Sequence, residues 1–526
     1  MDCEDIRKQI EDRVEQESSQ STPPTGQDDT PKVTSKLIQE CLIANELGDA
    51  TLYAKIFRGR FLYVKNTQEW FEWNGNAWQR DIMNHSLSAV EEVVDQYLSE
   101  YKLTSADIAE AKKSGEDDKV DRLKTRQSNL LKRVSQLRAD KRRTACLKFA
   151  HTIKDPISIA GEEFDNRPLL FPCANGVIDL ETGRLKSGRP DDFLSLVSPV
   201  PFIDLNTPAP LWERSLLEIF GEKEHLVTYL QRLFGYCMTG LVHEKVFPIF
   251  YGRTGWNGRS LIIETVSYIM GALAGPIPSE MLLSQKYIKS SSGPSPDIMS
   301  LKGIRMAFSS EVDEGQRFSA SKIKWLTGKD QLVGRSPHDK YPTRFAPTHK
   351  IILMTNSLPH APANDQALWE RLHVIPFLIS FVNRDPQETY ERRAIIDLDR
   401  KMLQEASGIL AWLIRGCLLW QRDGLDPPFE VTEEGRKYQS EQGYILDFKD
   451  ECCKDEVAAR ETAAALYNRF VDWYHQNRGK KEPSPTAFGK ELAVKYRRSK
   501  SNGIVVYHGI RLKKEGESEG LSIEGA

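Results

Sequence analysis

The chain has 526 residues, of which 40% are hydrophobic and 28% charged, and its formal net charge is −3. This composition predicts a folded protein of about two to four domains and excludes a chain that is strongly basic over its whole surface. A contact with nucleic acid would therefore require local basic patches or a pore lined by several subunits. None of the eight cysteines forms a Cys-x-x-Cys pair, which argues against a zinc site and favours reduced thiols in the cytoplasm.

The sequence predicts neither a signal peptide nor a membrane span. Asp2, Glu4 and Asp5 open the chain without an apolar segment after them, unlike a secretory signal. The most apolar stretch, residues 408–420, contains Arg415 and is shorter than the roughly 20 residues that cross a bilayer. We expect a buried helix there and no membrane partner.

Residues 1–33 are rich in Ser, Thr, Pro and Asp, which favours a disordered leader. Residues 36–204 are expected to form a mostly helical N-terminal region. Asn74-Gly75, between two aromatic runs, predicts a hairpin turn. The aromatic side chains around it suit core packing, with stacking on bases as the alternative.

Two more features of this region can be interpreted from their patterns. Residues 112–143 are highly charged, with apolar residues three to four apart, and predict an exposed helical pair or a short coiled segment. Its Lys and Arg side chains either face solvent or touch DNA. Residues 175–183 alternate apolar and polar residues and predict a second hairpin.

A glycine-rich loop follows the apolar strand predicted for residues 246–251. Its residues are Gly252, Arg253, Thr254, Gly255, Trp256, Asn257, Gly258, Arg259 and Ser260. An amphipathic helix is predicted to begin at Leu261, and strand, glycine loop and helix is the context in which backbone amides bind phosphate. The Ser260 hydroxyl is then a candidate Mg²⁺ ligand. The glycine spacing is one residue longer than in the common phosphate-binding loop, and Arg259 stands where lysine is usual, so a plain strand–turn–helix corner is the alternative.

Two more predicted strands end in polar residues. The strand of residues 303–310 leads to Glu311, whose carboxylate would hold Mg²⁺ and polarise a water if it lies beside the loop. The alternative for this acidic strand end is a solvated turn. The next leads to Asn356, an amide suited to orienting water near a γ-phosphate, or otherwise a turn residue before Pro359. Farther along, Arg371 is a candidate to reach the γ-phosphate of a neighbouring subunit, with an ordinary surface arginine as the alternative.

Basic residues mark two candidate DNA contacts. Residues 332–346 predict a hairpin whose tip carries His338 and Lys340, and these side chains either grip a DNA backbone or face solvent. After a helical extension over residues 386–435, residues 440–515 predict a small unit with two helical stretches and a terminal strand pair. Its basic residues suit duplex DNA, or a solvated loop in a packing domain. They are Lys495, Arg497, Arg498 and Lys500.

In this order the segments resemble the helicase module of superfamily three, in the phage and plasmid primase family related to poxvirus-type primase–helicases. The resemblance spans residues 36–515 and is most specific over residues 292–377. It implies an α/β fold: an AAA+-like P-loop NTPase core over residues 205–385, preceded by a helical N-terminal region. It also implies a winged-helix domain over residues 440–515, followed by a flexible tail over residues 516–526.

The resemblance also implies an activity and assigns roles. It implies an ATP-dependent DNA helicase that uses ATP and Mg²⁺ and moves on single-stranded DNA as a homo-oligomeric ring, expected to be a hexamer. Arg259 and Ser260 fall on the Walker A basic residue and hydroxyl, Glu311 on the Walker B acid, Asn356 on the sensor asparagine and Arg371 on the arginine finger. Duplex DNA is expected as a second partner, and a phage or prophage origin with a location in the bacterial or host-cell cytoplasm is implied.

Many relatives carry an N-terminal primase domain, and its carboxylate pair and histidine are not recognisable here. Any priming is therefore expected to need a separate primase or polymerase. Two other functions stay open. Arg259 favours an ATP-binding origin-recognition or loader protein that hydrolyses little ATP, and an inactive prophage remnant that no longer binds ATP is the third.

Overall fold

A computed structural model gives the structure of the protein and describes residues 33–285, 294–310, 316–337, 342–362, 365–442, 445–477, 482–501 and 503–514. These residues form two compact units. The first unit runs to residue 202 without residues 180–183, and the second holds residues 180–183 and those from 203 onward.

The first unit contains a bundle of helices. They are α1 (Ser35–Ile43), α2 (Asn45–Phe57), α3 (His85–Ser88), α4 (Val90–Lys113), α5 (Asp117–Leu137) and α6 (Asp140–Ala150). In α4, Val90, Val93, Val94 and Tyr97 recur at helical spacing and are fully buried, so one face of this helix packs into the core. Helices α4 and α5 pack against each other. The charged stretch of residues 112–143 holds the end of α4, all of α5 and the start of α6, so its helical character is confirmed but its pairing as predicted is not.

Short strands complete this unit. They are β1 (Phe61–Val64), β2 (Glu69–Trp73), β3 (Trp78–Arg80), β4 (Ser158–Ile159), β5 (Leu170–Cys173), β6 (Gly176–Asp179) and β7 (Arg184–Lys186). The turn predicted at Asn74-Gly75 joins antiparallel β2 and β3, and Asn74 Oδ1 accepts hydrogen bonds from the amides of Asn76 and Ala77 (3.0 and 2.9 Å). Phe71 and Trp78 are buried in one core cluster, which confirms core packing for these two aromatic residues. The second predicted hairpin is β6–β7.

The second unit begins with helices and then alternates strands and helices. Its elements are α7 (Pro210–Ile219), α8 (Glu224–Met238), β8 (Phe247–Tyr251), α9 (Arg259–Met270), β9 (Ala274–Pro276), α10 (Pro296–Met299), β10 (Met306–Ser310), α11 (Ala320–Leu326), β11 (Leu332–Gly334), β12 (Thr343–Phe345), β13 (Lys350–Thr355), α12 (Gln366–Trp369), β14 (Leu372–Pro376), β15 (Ser380–Val382), β16 (Glu391–Arg393), α13 (Leu398–Leu403), α14 (Ala406–Asp423) and α15 (Phe429–Gln442). The predicted α/β alternation is therefore present.

A parallel sheet of five strands, in the order β14-β8-β13-β10-β9, forms the centre of this unit. Strands β8 and β13 are almost continuously apolar and buried, as expected for parallel strands covered on both faces. Parallel strands end at the same edge of the sheet, so the segments that follow β8 and β13 emerge side by side.

The last part of the second unit combines helices with a three-stranded antiparallel sheet. Its elements are α16 (Ile445–Cys452), β17 (Cys453–Thr462), α17 (Ala463–Asn477), α18 (Pro485–Lys495), β18 (Arg498–Ser501) and β19 (Ile504–Leu512). The sheet order is β17-β19-β18, and Phe448, Phe470, Trp473 and Phe488 form the core beneath it.

Two sequence expectations about secondary structure were incomplete. The C-terminal unit has a third helix, α16, and a third strand, β17, beyond the two helices and the strand pair predicted. Most of β17 is exposed and charged, so its sequence lacks the apolar alternation that marks a half-buried strand. Strand β16 likewise occupies residues expected to be helical.

The stretch predicted as a buried helix is α14, in which Ile409 to Ile414 are buried. Among the described residues no helix is both long enough and apolar enough to cross a membrane. The cysteines of the described ranges have free, buried thiols.

Candidate functional site

The glycine-rich loop lies between β8 and α9, as the sequence predicts. Gly258 precedes the helix with φ +84°, and a Cβ atom there would approach Ile219 Cδ1 to 2.6 Å, so only glycine fits without strain. The buried Asn257 donates from Nδ2 to the carbonyl oxygen of Thr254 (2.8 Å) and folds the loop on itself. Helix α9 begins at Arg259, two residues earlier than expected.

The outer part of the loop is held by the segment around β15. The amide of Phe381 donates to the carbonyl oxygen of Trp256 (2.7 Å), and Ser380 Oγ donates to that of Gly255 (3.1 Å). Trp256 has φ +59° and is 80% exposed. A large apolar side chain held out in a left-handed conformation is uncommon.

A cleft of about 560 Å³ opens beside the loop. Gly252, Arg253 and Thr254 line a different cavity. Three segments line the cleft: residues 255–261, which include the start of α9, one side of α7, and residues 381–399. Asn356 lines it as well. Its polar lining residues beyond the loop are Ser215, Glu218, Asn356, Asn383, Asp397 and Asp399.

Sequence reasoning missed α7 and residues 381–399 as parts of this cleft. Glu218 is far from Asn383, Asp397 and Asp399 in the chain, and none of the four stands in a recognisable motif. Asp397 has φ +56° at the start of α13, which is rare for a residue other than glycine and is visible only in the structure.

Arg259 is 8% exposed, and its guanidinium is turned toward the ends of β8 and β13. It donates to Asn257 Oδ1 (2.9 Å), to the carbonyl oxygens of Phe250 (3.2 Å) and Thr355, and to Asn356 Oδ1. Burial lowers the pKa of Arg259 from its ordinary value. The sequence suggested that this cation would face a phosphate, whereas most of its donors face the protein.

Asn356 follows β13 directly and lies in the same cleft as the loop. The register explains this, because Thr355 of β13 pairs with Tyr251 of β8, so the residues after both strands emerge together. Strand β10 ends at this edge too, with Ser310 paired to Met354. Glu311, the predicted acid, lies outside the described residues.

Arg371 lies at the end of the sheet where the parallel strands begin, opposite the end where the glycine loop follows β8. It directly precedes β14, whose Leu372 pairs with Phe247 at the start of β8. Its Nη1 donates to the carbonyl oxygen of Ala367, and its Nε is buried with no hydrogen-bond partner within the described ranges. The structure therefore does not bring Arg371 to the cleft of its own chain.

The candidate DNA-binding residues fall into two groups. Strands β11 and β12 pair antiparallel, as the predicted hairpin requires, but His338 and Lys340 lie outside the described residues. In the C-terminal unit, Arg497, Arg498 and Lys500 are exposed on or beside β18, the edge strand of its sheet.

Lys495 differs from the other three basic residues. It ends α18, and its Nζ lies 3.5 Å from Asp455 Oδ2. Burial and the neighbouring Lys449 lower its pKa from the ordinary value. Its charge is therefore partly satisfied within the protein.

Comparisons with known proteins find relatives of this chain. Residues 50–221 match the family model described as D5 N terminal like. A protein of Acanthamoeba polyphaga mimivirus named "Putative helicase" is 25% identical over 428 residues, which is 78% of this chain and 43% of that protein. A second protein with that name, from Frog virus 3 (isolate Goorha), is 24% identical over 60% of this chain and 40% of its own length.

The chain is a relative of the D5-type superfamily-three primase–helicases. The resemblance seen in the sequence is thereby confirmed. This D5-type relative spans about two fifths of the length of the two viral proteins.

Among solved structures, the apo C-terminal region of NrS-1 is similar to the D5-type relative. The sequence identity is 10% and the TM-score 0.43, with 88% of this chain and 99% of that chain covered.

Proposed function

We propose that this D5-type relative is an ATP-dependent DNA helicase of phage or mobile-element replication, which moves on single-stranded DNA as a homo-oligomeric ring, expected to be a hexamer. One observation carries the proposal: residues 255–260 of the glycine loop and Asn356 after β13 line a single cleft. Its volume of about 560 Å³ is within the range of small-molecule sites. The names of the viral relatives support the same activity.

The fold of the second unit supports a P-loop NTPase core of the AAA+ kind. The strand that precedes the loop lies inside a parallel sheet, with helix α9 beginning at the end of the loop. Backbone amides and the positive end of α9 are suited to phosphate groups. The polar residues on α7 and residues 381–399 are then left to contact the nucleoside part of ATP.

Mg²⁺ is the metal ion that we expect to bind in the cleft together with ATP. The Ser260 hydroxyl is exposed in the cleft, and a hard oxygen donor beside a phosphate site fits this ion. Glu311 is the proposed acid of the site. When bound, Mg²⁺ would offset the negative charge of the phosphates.

DNA binding is proposed at two places. The hairpin β11–β12 with His338 and Lys340 would contact single-stranded DNA. The C-terminal unit suits a winged helix that binds duplex DNA, with α18 as the recognition helix and β18–β19 as the wing. Its exposed Arg497, Arg498 and Lys500 supply the positive charge that phosphates require.

A second candidate is an ATP-binding origin-recognition or loader protein with little hydrolysis. The internal hydrogen bonds of Arg259 favour it, because they occupy most of the donors of the cation expected at the phosphates. The two candidates differ in whether DNA stimulates ATP turnover.

The test measures ATP hydrolysis by the full chain with and without single-stranded DNA, and strand displacement on a forked duplex. DNA-stimulated turnover with unwinding supports the helicase, whereas nucleotide binding without stimulated turnover supports the loader. Absence of nucleotide binding contradicts both. Glu311→Gln should bind ATP but lose turnover, since the acid acts on the water and the metal. The exposed Glu280→Gln is the matched control and should behave as wild type.

A further inference from the structure

The guanidinium of Arg259 uses four of its N–H groups within the protein. Nε–H donates to Asn257, the two N–H groups of Nη1 donate to the carbonyl oxygens of Phe250 and Thr355, and one of Nη2 donates to Asn356. A guanidinium has five such donors in a rigid plane, whereas a lysine ammonium has three on a flexible stem. Arginine can therefore bond all four of these acceptors at once, whereas lysine has too few donors to do so.

This contact settles which way the Asn356 amide points. A guanidinium has no acceptor, so the amide must turn its oxygen, Oδ1, toward Arg259. The Nδ2 group then points away from the guanidinium, and it has no protein acceptor within the described residues. Asn356 is exposed and lines the cleft, so Nδ2 is the atom it offers to a ligand there.

We propose that Arg259 is a positioning residue, which fixes the Asn356 amide so that its Nδ2 donates into the cleft toward the terminal phosphate of a nucleoside triphosphate. The inference rests on the proposed function and deepens it. It changes the role expected of Arg259, which acts through Asn356 rather than chiefly as the phosphate ligand of the loop. It also makes Asn356 a hydrogen-bond donor to an oxyanion rather than an acceptor from the attacking water.

Asn356→Asp separates the two roles of Asn356. The new carboxylate keeps the shape and pairs with Arg259 through a charge-assisted hydrogen bond, so folding is maintained, but the donor is lost. We expect affinity for ADP to change less than about threefold, affinity for ATPγS to fall at least about tenfold, and ATP hydrolysis to fall about 10²–10³-fold, as when one oxyanion donor is removed.

The role of Arg259 is tested by a double-mutant cycle with Arg259→Lys and Asn356→Ala. If Arg259 acts through Asn356, Arg259→Lys slows hydrolysis in the wild-type background but has less than about a twofold effect when Asn356 is already alanine. Additive losses, or an equal loss of ADP and ATPγS affinity in Arg259→Lys, would overturn the inference and make Arg259 a direct phosphate ligand. Thermal melts check that each variant is folded, and Asn356→Asp decides the amide orientation even if Arg259→Lys does not fold.

The outcomes also separate this inference from the proposed function. A wild type that hydrolyses ATP, together with an Asn356→Asp variant that hydrolyses it equally well, overturns the inference alone. A wild type that binds ATPγS without hydrolysing ATP contradicts the proposed helicase activity. In that case the ratio of ATPγS to ADP affinity in Asn356→Asp still tests the inference. A wild type that binds neither nucleotide overturns both.

Discussion

The backbone carbonyl oxygen of Arg371 accepts a hydrogen bond from the amide of Phe247 (2.6 Å). Arg371 therefore lies beside the first residue of β8, while the glycine loop follows the last. Strand β8 has five residues, and at about 3.3 Å per residue the two ends are on the order of 15 Å apart. An arginine at that end of the strands cannot contact a phosphate bound by its own loop. A role for Arg371 at a phosphate would therefore require the site of a neighbouring chain.

The first prediction follows from this placement. Arg371→Ala should bind ATP as wild type does but lose hydrolysis by about 10³-fold or more, because an arginine finger stabilises charge on the transferred phosphoryl group. The exposed Arg422→Ala is the control. Rings that mix Arg371→Ala with Glu311→Gln should regain ATPase, since some interfaces then pair an intact Glu311 with an intact Arg371. No recovery in rings shown to be mixed would exclude a role across the interface.

A second prediction concerns a buried ion-pair network in the first unit. Asp49 is fully buried and accepts hydrogen bonds from Arg133 Nη1 (2.6 Å), Arg142 Nε (2.8 Å) and Tyr97 Oη (2.8 Å). Asp49→Ala leaves the buried Arg133 uncompensated and should cost about 3–5 kcal/mol of local stability.

Hydrogen exchange of α2 in the full-length protein measures this loss. The control is Asp155→Ala, which removes a surface pair with Arg58 and should cost no more than about 1 kcal/mol. Equal exchange rates in the two variants would contradict a stabilising role for the network.

A third prediction concerns pH. Burial lowers the pKa of both His349 and His373 from 6.5 to about 4. Between pH 6.5 and about 4, these histidines bind protons in the unfolded chain but not in the folded chain. The free energy of unfolding therefore falls as the pH drops through this range, and these groups do not affect it at higher pH. Each histidine should contribute up to about 3 kcal/mol to this fall.

Urea denaturation of the wild type, His349→Gln and His373→Gln between pH 7.5 and 4 provides the measurement. Below pH 6.5 the free energy of unfolding of each variant should depend less steeply on pH than that of the wild type. Above pH 6.5 the curves of free energy against pH should run parallel. A difference that persists unchanged across the whole range would mean that these histidines do not titrate as their burial implies.

The fourth prediction tests the basic edge strand. Replacing Arg497, Arg498 and Lys500 together by alanine should weaken duplex binding and lower the slope of log affinity against log salt by about 2–3, because each lost phosphate contact accounts for about 0.9. Fluorescence anisotropy over a salt series measures both. The control triple variant replaces the exposed Lys112, Lys113 and Lys119 of the α4–α5 pair. An equal drop in slope for the control would place DNA on that helical pair instead.

Local patterns in the sequence were sufficient for the strand before the glycine loop and for the Asn74-Gly75 turn, because both depend on residues near one another in the chain. The glycine loop follows a strand and opens a helix, and Asn74-Gly75 forms a turn, for reasons of backbone conformation that glycine and asparagine carry with them. The strand β17 was missed because it is exposed and its pairing partner β19 lies about 50 residues away, at a distance that local patterns do not cover.

The tertiary structure alone decided which residues meet in the cleft and which way they point. Asn356 joins the loop because β13 and β8 are adjacent and in register, and α7 and residues 381–399 line the cleft without any sequence motif of their own. The sequence showed an arginine at position 259 but not its orientation. Its burial beside two carbonyl oxygens and two amide oxygens directs the guanidinium inward, since a buried cation must find acceptors. In the sequence those acceptors lie up to 97 positions from Arg259, and only folding brings them together.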